Sequence, residues 1–153
     1  MRLIRTLWLA LAALALVAPA AAQPRATLDQ AKAMVKKARA YIREVGPEKA
    51  FAEINNPRGR FTEGEIYVFV VNMKTHHNLA HGGNPKMIGK DMGELRDTDG
   101  VYITRGLMDA ARKGGGTFKY KFLNPATQKV EVKTGYAEAE GDMMVASGVY
   151  EPQ

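Results

Sequence analysis

The chain contains no cysteine. That excludes disulfides, thiolate nucleophiles, cysteine-bound zinc, iron–sulfur clusters and thioether-linked haem. Serine is almost as scarce: Ser147 is the only one, and it sits in a strand-like apolar run with no sequence context for a nucleophile. No Gly-x-Ser-x-Gly elbow, His-Glu-x-x-His helix, phosphate loop or dinucleotide fingerprint occurs. Asp97 and Asp99 could pair, but Asp-x-Asp-Gly is an ordinary turn. The sequence is therefore not read as an enzyme, and no cofactor is implied.

Beyond Ala22 no apolar stretch approaches the roughly 20 residues needed to cross a bilayer. Before it, Arg2 and Arg5 give a positive start, Leu7 to Val17 an apolar middle, and Pro19 with Ala20-Ala21-Ala22 a small-residue cleavage pattern ahead of Gln23. This is the pattern of a cleaved export leader over residues 1–22, which predicts a periplasmic mature domain over residues 23–153. That length suits one hydrophobic core. The net charge is +6, with a pI near 9.6. The basic residues are nevertheless interleaved with acids, as in Arg43-Glu44 and Glu48-Lys49, and form no stripe or tail. A nucleic-acid partner is not expected.

Thr27-Leu28-Asp29-Gln30 carries a capping box. Apolar residues then recur at Leu28, Ala31, Met34, Val35, Ala38, Tyr41, Ile42 and Val45, the spacing of a helical stripe, until Gly46-Pro47 stops it. A short helix through Phe51 and Ile54 follows. Glu65 to Val71 is β-branched and aromatic on both faces, which predicts a strand covered on both sides. A shorter strand spans Asn78 to His81. The segment from Gly82 to Gly100 is loop-rich, and a helix carries Ile103, Leu107, Met108 and Ala111. Three strands complete the chain, Thr117 to Leu123, Lys129 to Ala139 and Met143 to Tyr150, joined by turns short enough to require antiparallel hairpins. The predicted fold is α+β: a long N-terminal helix against one face of a five-stranded antiparallel sheet, with Pro85 to Gly116 over the other face, enclosing a pocket.

Two clusters attract chemistry. His76, His77 and His81 are the only histidines, and imidazole clusters suit copper, zinc or nickel. On a strand, however, His77 and His81 would lie about 13 Å apart at roughly 3.3 Å per residue, too far for one ion without a bulge. A structural or pocket-edge role competes with the metal reading. In Thr117-Phe118-Lys119-Tyr120-Lys121-Phe122, period two sets the aromatics on one face and the lysines on the other. Lysines in water are the usual outcome. A lysine turned under the covering segment would instead seek an anionic partner.

Several stretches together resemble the single Cache domain, type 2, of bacterial extracytoplasmic sensors. They are Gly46-Pro47-Glu48-Lys49-Ala50-Phe51 to Asn55, Tyr67-Val68-Phe69-Val70, Leu79-Ala80-His81-Gly82 with Asn84-Pro85, and Ile88-Gly89-Lys90-Asp91. With them go Leu95-Arg96-Asp97, Tyr120-Lys121 with Asn124-Pro125, Lys133-Thr134-Gly135-Tyr136 and Ser147-Gly148-Val149-Tyr150. The resemblance implies a PAS-like sheet whose pocket takes a short carboxylate, amino acid or amide. It also implies site roles: Lys121 as the anion-pairing group, Tyr120 and Tyr67 as hydroxyl donors or walls, His81 at the pocket edge, and Tyr102 from the cover. Because Tyr120 and Lys121 face opposite ways, both cannot line one pocket without a bulge. Members of such families are normally anchored to signalling modules. The chain looks like a stand-alone secreted form, whose output would pass through a membrane sensor or transporter. The alternatives are a partner-binding accessory protein with a vestigial pocket and a periplasmic metal-binding protein using the His76, His77 and His81 cluster.

Overall fold

Thr27 starts the first helix as the capping box requires. Its backbone N–H donates to Gln30 Oε1 at 2.7 Å, and its hydroxyl accepts the Gln30 N–H. The structure, a computed structural model, describes residues 25–151, so the leader expected over residues 1–22 lies outside the described residues. Helix α1 spans Leu28–Val45 and buries Ala31, Met34, Val35, Ala38 and Ile42, the stripe set by its 3.6-residue period. Gly46, at φ +83°, ends it where a side chain would be strained, and Pro47 opens α2, Pro47–Ile54.

The remaining elements are β1 (Thr62–Glu63), β2 (Ile66–Tyr67), β3 (Phe69–Asn72), β4 (Asn78–His81), a 3₁₀ turn Pro85–Met87, α3 (Ile103–Arg112), β5 (Gly116–Asn124), β6 (Lys129–Glu140) and β7 (Met143–Tyr150). The main sheet has five strands in the order β4-β3-β7-β6-β5, all pairs antiparallel. The α+β architecture is the one predicted. Helices α1 and α2 pack with Val70, Ala80, Val145 and Val149 on one face. On the other, α3 packs with Phe69, Val71, Tyr120, Ala137, Met144 and Ala146. No helix among the described residues is long and apolar enough to cross a membrane.

The expected strand from Glu65 to Val71 is broken at Val68. Ile66–Tyr67 pairs with Thr62–Glu63 in a small hairpin of its own, and only Phe69–Asn72 joins the main sheet. At the break, the Tyr67 carbonyl accepts the Ser147 hydroxyl at 2.8 Å, and the Val68 N–H reaches the Phe61 carbonyl at 3.0 Å. The lone serine thus satisfies a buried carbonyl that the ladder leaves open.

The short edge strand departs from period two. Phe69 faces His81 and Val70 faces Ala80, but Val71 faces Asn78, leaving Leu79 as the extra residue of a β-bulge. Leu79 and Ala80 pack toward α1, while Phe69 and Val71 pack toward α3. The bulge therefore turns both Asn78 and His81 to the α3 face, where simple alternation would have sent them to opposite faces.

Candidate functional site

The segment between β4 and α3 is fastened over the sheet at several points. Asn78 ties it by its main chain, its N–H donating to the Lys90 carbonyl at 2.9 Å and its carbonyl accepting the Gly89 N–H at 2.7 Å. His81 Nδ1 accepts the Asn84 N–H at 2.9 Å. Farther along, one carboxylate holds the cover to the outer edge of β5: Asp97 Oδ2 accepts the Lys121 N–H at 3.0 Å, while Oδ1 accepts those of Asp99 and Val101, each at 2.9 Å. These bonds, that from Lys121 foremost, hold the Asp97 carboxyl below the usual carboxylate range.

Beneath the cover lies a small, partly open cavity of about 20 Å³, room for a water molecule. The small hairpin contributes Tyr67, the main sheet Phe69, Val71, Tyr120 and Phe122, and the bulged edge strand adds Asn78 and His81. Met87, Met92 and Leu95 of the cover and Ile103 and Thr104 of α3 complete it. No acidic residue is among them. His81 stacks against Phe69 with ring centres 5.5 Å apart and lies 5.1 Å from the Tyr67 ring. Burial, with the charge of Lys133 adding to it, lowers its pKa to about 4. At neutral pH the ring is therefore uncharged. Since Nδ1 accepts a hydrogen bond, the ring proton sits on Nε2. Burial likewise pushes the Tyr120 and Tyr150 hydroxyls well above their ordinary value, so both remain neutral donors.

Behind the Tyr67, His81 and Tyr120 walls stands a buried cation. Lys133, on β6, is fully buried. Its register partners are Tyr120 on β5 and Tyr150 on β7. The ammonium lies 3.9 Å from the Tyr67 ring centre and 4.7 Å from that of Tyr150, and it has no hydrogen-bond partner. Gly148 makes this path possible, because a Cβ there would come within 3.0 Å of Lys133 Cε. Two aromatic faces stabilise the charge by about 2 kcal/mol each, well short of the hydration it gave up. Asn78 is the second incompletely satisfied group, 2% exposed, with both amide atoms unpartnered.

Of the residues expected at the site, Tyr67, Tyr120 and His81 line the cavity together. Lys121 does not join them. Its side chain leaves the β5 edge on the outward face and pairs with Asp99 at 2.9 Å, which raises its pKa. Period two governs here because β5 carries no bulge. Tyr102 also lies elsewhere, its ring between the guanidinium groups of Arg96 and Arg105 at 3.9 and 4.0 Å. The histidine cluster is dispersed: His77 Nδ1 lies 2.9 Å from the Thr75 carbonyl, and His76 takes a left-handed turn at φ +61°. Among the described residues no group of three or more His, Cys, Asp or Glu side chains is placed to hold a metal ion. Lys133 and Asn78 were missed. Period two gave no signal for Lys133, which shares its face of β6 with Lys129 and Glu131 as well as with Gly135, Ala137 and Ala139. Asn78 carried none, since its aim depends on the bulge.

Residues 9–151 match the family described as Single Cache domain 2. The chain belongs to that family. Among solved structures, this Cache domain is similar to a methyl-accepting chemotaxis protein from Vibrio parahaemolyticus RIMD 2210633, at 28% identity and a TM-score of 0.67, with 80% of this chain and 86% of that one covered. It also shares its fold with a Cache chemosensory domain described for carboxylic acid recognition, at 21% identity and TM-score 0.66, covering 81% and 92%. A periplasmic sensor domain of a chemotaxis protein gives 20% and 0.64, covering 81% and 90%. No match is found among curated proteins. The Cache cavity lies between the sheet and the cover, and its polar atoms come from β2, β4, β5 and α3.

Proposed function

We propose that this Cache domain is a periplasmic binding module for a short organic carboxylate, whose occupied state is read by a membrane-bound sensor or transporter. The observation that carries this is the Lys133 ammonium, buried against the cavity wall without an ion pair or hydrogen bond. A buried cation of this kind gains from an anionic guest that restores a charge-assisted hydrogen bond. The role expected of Lys121 thus passes to Lys133, with the Tyr67, Tyr120 and His81 rings as walls and donors. The apolar remainder of the lining, Val71, Met92, Leu95 and Ile103, suits a short carbon chain. Amino acids are poor guests, because no carboxylate lines the cavity to pair with their ammonium. The carboxylic acid recognition described for a fold relative agrees with this reading, and the leader pattern supports the location.

The cavity has room for a single water, less than a carboxylate needs, so binding requires the cover to shift. Calorimetry and thermal shift with acetate, propionate, succinate, alanine and acetamide test the proposal. Propionate or acetate should bind, and saturation near 100 times Kd should add roughly 2.7 kcal/mol of stability. Lys133→Met should abolish the response while Lys121→Met leaves it intact. Silence across the panel, or an unchanged affinity in Lys133→Met, would overturn the assignment.

A further inference from the structure

Asn78 is anomalous among the buried amides of the fold. Asn124, fully buried, spends its amide on Glu131 at 2.8 Å and its oxygen on the Ala126 N–H at 2.9 Å. The half-buried Asn55 accepts the His81 N–H at 2.8 Å. Asn78 is nearly as inaccessible as Asn124, yet neither Nδ2 nor Oδ1 has a partner. Exchanging the two amide atoms does not repair this, because both are open. The main chain of Asn78 is fully used in fastening Gly89 and Lys90 of the cover. Its side chain is not needed for that bond, and the Leu79 bulge delivers it into the cavity lining. An open donor and an open acceptor, side by side in a buried side chain, are costly unless something fills them.

We infer that Asn78 is a specificity determinant, and that the guest is a hydroxycarboxylate whose uncharged hydroxyl pairs with the Asn78 amide. The inference rests on the carboxylate reading above, with Lys133 taking the charged end. A hydroxyl matches Asn78 because it both donates and accepts from one atom, and it is the smallest group that does so. A second carboxylate would bring a charge among Val71, Met87 and Met92 with no second cation to meet it. An ammonium finds no acid. A methyl leaves both amide atoms unpaired, which is the penalty that lets a polar site reject an analogue lacking the hydroxyl.

Matched pairs of acids test this in the wild-type protein by calorimetry: glycolate against acetate, lactate against propionate, and 3-hydroxybutyrate against butyrate. At least one hydroxy acid should bind about tenfold or more tightly than its unsubstituted partner. Asn78→Leu, close in shape and apolar, should lose that preference and bind the unsubstituted acid as well as the wild type or better. Equal affinities within every pair in the wild type, with carboxylates binding, overturn the Asn78 role and leave the carboxylate reading standing. Absence of binding by any acid overturns both. Should Asn78→Leu fail to fold, the wild-type pairs still decide. A preference retained in folded Asn78→Leu refutes the assignment.

Discussion

The Lys133 ammonium stands 3.9 Å from the centre of the Tyr67 ring, bringing β6 of the main sheet against β2 of the small hairpin. The path of the lysine is possible because Gly148 presents no side chain, a Cβ there coming within 3.0 Å of Lys133 Cε. A lysine held this way is a burden on the unliganded fold. Lys133→Met keeps the length and apolar stem but removes the buried charge. Its loss of cation–π attraction to two rings, about 4 kcal/mol, is outweighed by relief of an unpaired buried charge, whose desolvation costs several kcal/mol. The variant should therefore be more stable than wild type by about 1 kcal/mol in urea denaturation without ligand. A large loss of stability instead would show that the amine serves the fold and not a guest.

His81 makes the fold sensitive to acid. Its pKa is near 6.5 in the unfolded chain and about 4 in the native state. Between these values the unfolded state binds more protons, so stability falls as pH falls from about 6.5 toward 4. The full shift corresponds to roughly 3 kcal/mol. Protonation also takes the lone pair that receives the Asn84 N–H, so the cover loses one fastening in the same window. His81→Asn can present an oxygen to Asn84 and does not titrate. Denaturation midpoints across this range should slope in the wild type and flatten in the variant. Equal slopes would place the sensitivity elsewhere.

Asp97 and Lys121 fasten the cover at the opposite edge. Because Lys121 already pairs with Asp99, Lys121→Met should leave carboxylate affinity unchanged. Asp97→Ala removes the acceptor for the N–H groups of Asp99, Val101 and Lys121. Hydrogen exchange at the Val101 and Lys121 amides should then quicken, and any guest should leave faster. Protection that survives at both amides would mean that the cover is held by its other anchors alone.

The legible part of this fold is what local chemistry dictates. The capping box at Thr27, the stripe of α1, the hairpin turns and the alternation of β5 are each fixed by near neighbours, and the structure follows them. Tyr67, Tyr120 and His81 came from the family resemblance and lie together in the cavity. What period two cannot express is a bulge, and Leu79 is one. It alone brings Asn78 and His81 to the same side. The resemblance points to Lys121, next to Tyr120 in sequence, but a strand without a bulge sends sequence neighbours to opposite faces. The lysine beside Tyr120 in space is its cross-strand partner, Lys133. That pairing depends on the register of β5 against β6, which is set by the length of the turn between them.

Gly135 and Gly148 face each other across β6 and β7 on the floor of the site, and they make different demands. A Cβ at Gly148 would meet the Thr134 carbonyl at 2.7 Å and Gly135 Cα at 2.9 Å, both main chain of the adjacent strand. Neither can move without parting the ladder, so Gly148→Ala should destabilise toward the upper end of the usual overpacking range of about 1–3 kcal/mol. A Cβ at Gly135 would meet Leu107 Cδ2 at 2.8 Å and Tyr120 Cε1 at 2.9 Å, both side chains. These can yield, at a cost near the lower end, about 1 kcal/mol. The ring that yields, however, is Tyr120, a wall of the cavity. Gly135→Ala should thus fold nearly as well as wild type yet lose carboxylate affinity, while Gly148→Ala loses stability first. Denaturation and calorimetry on the two variants separate these effects. Wild-type affinity in Gly135→Ala would mean that the position of Tyr120 does not shape the fit.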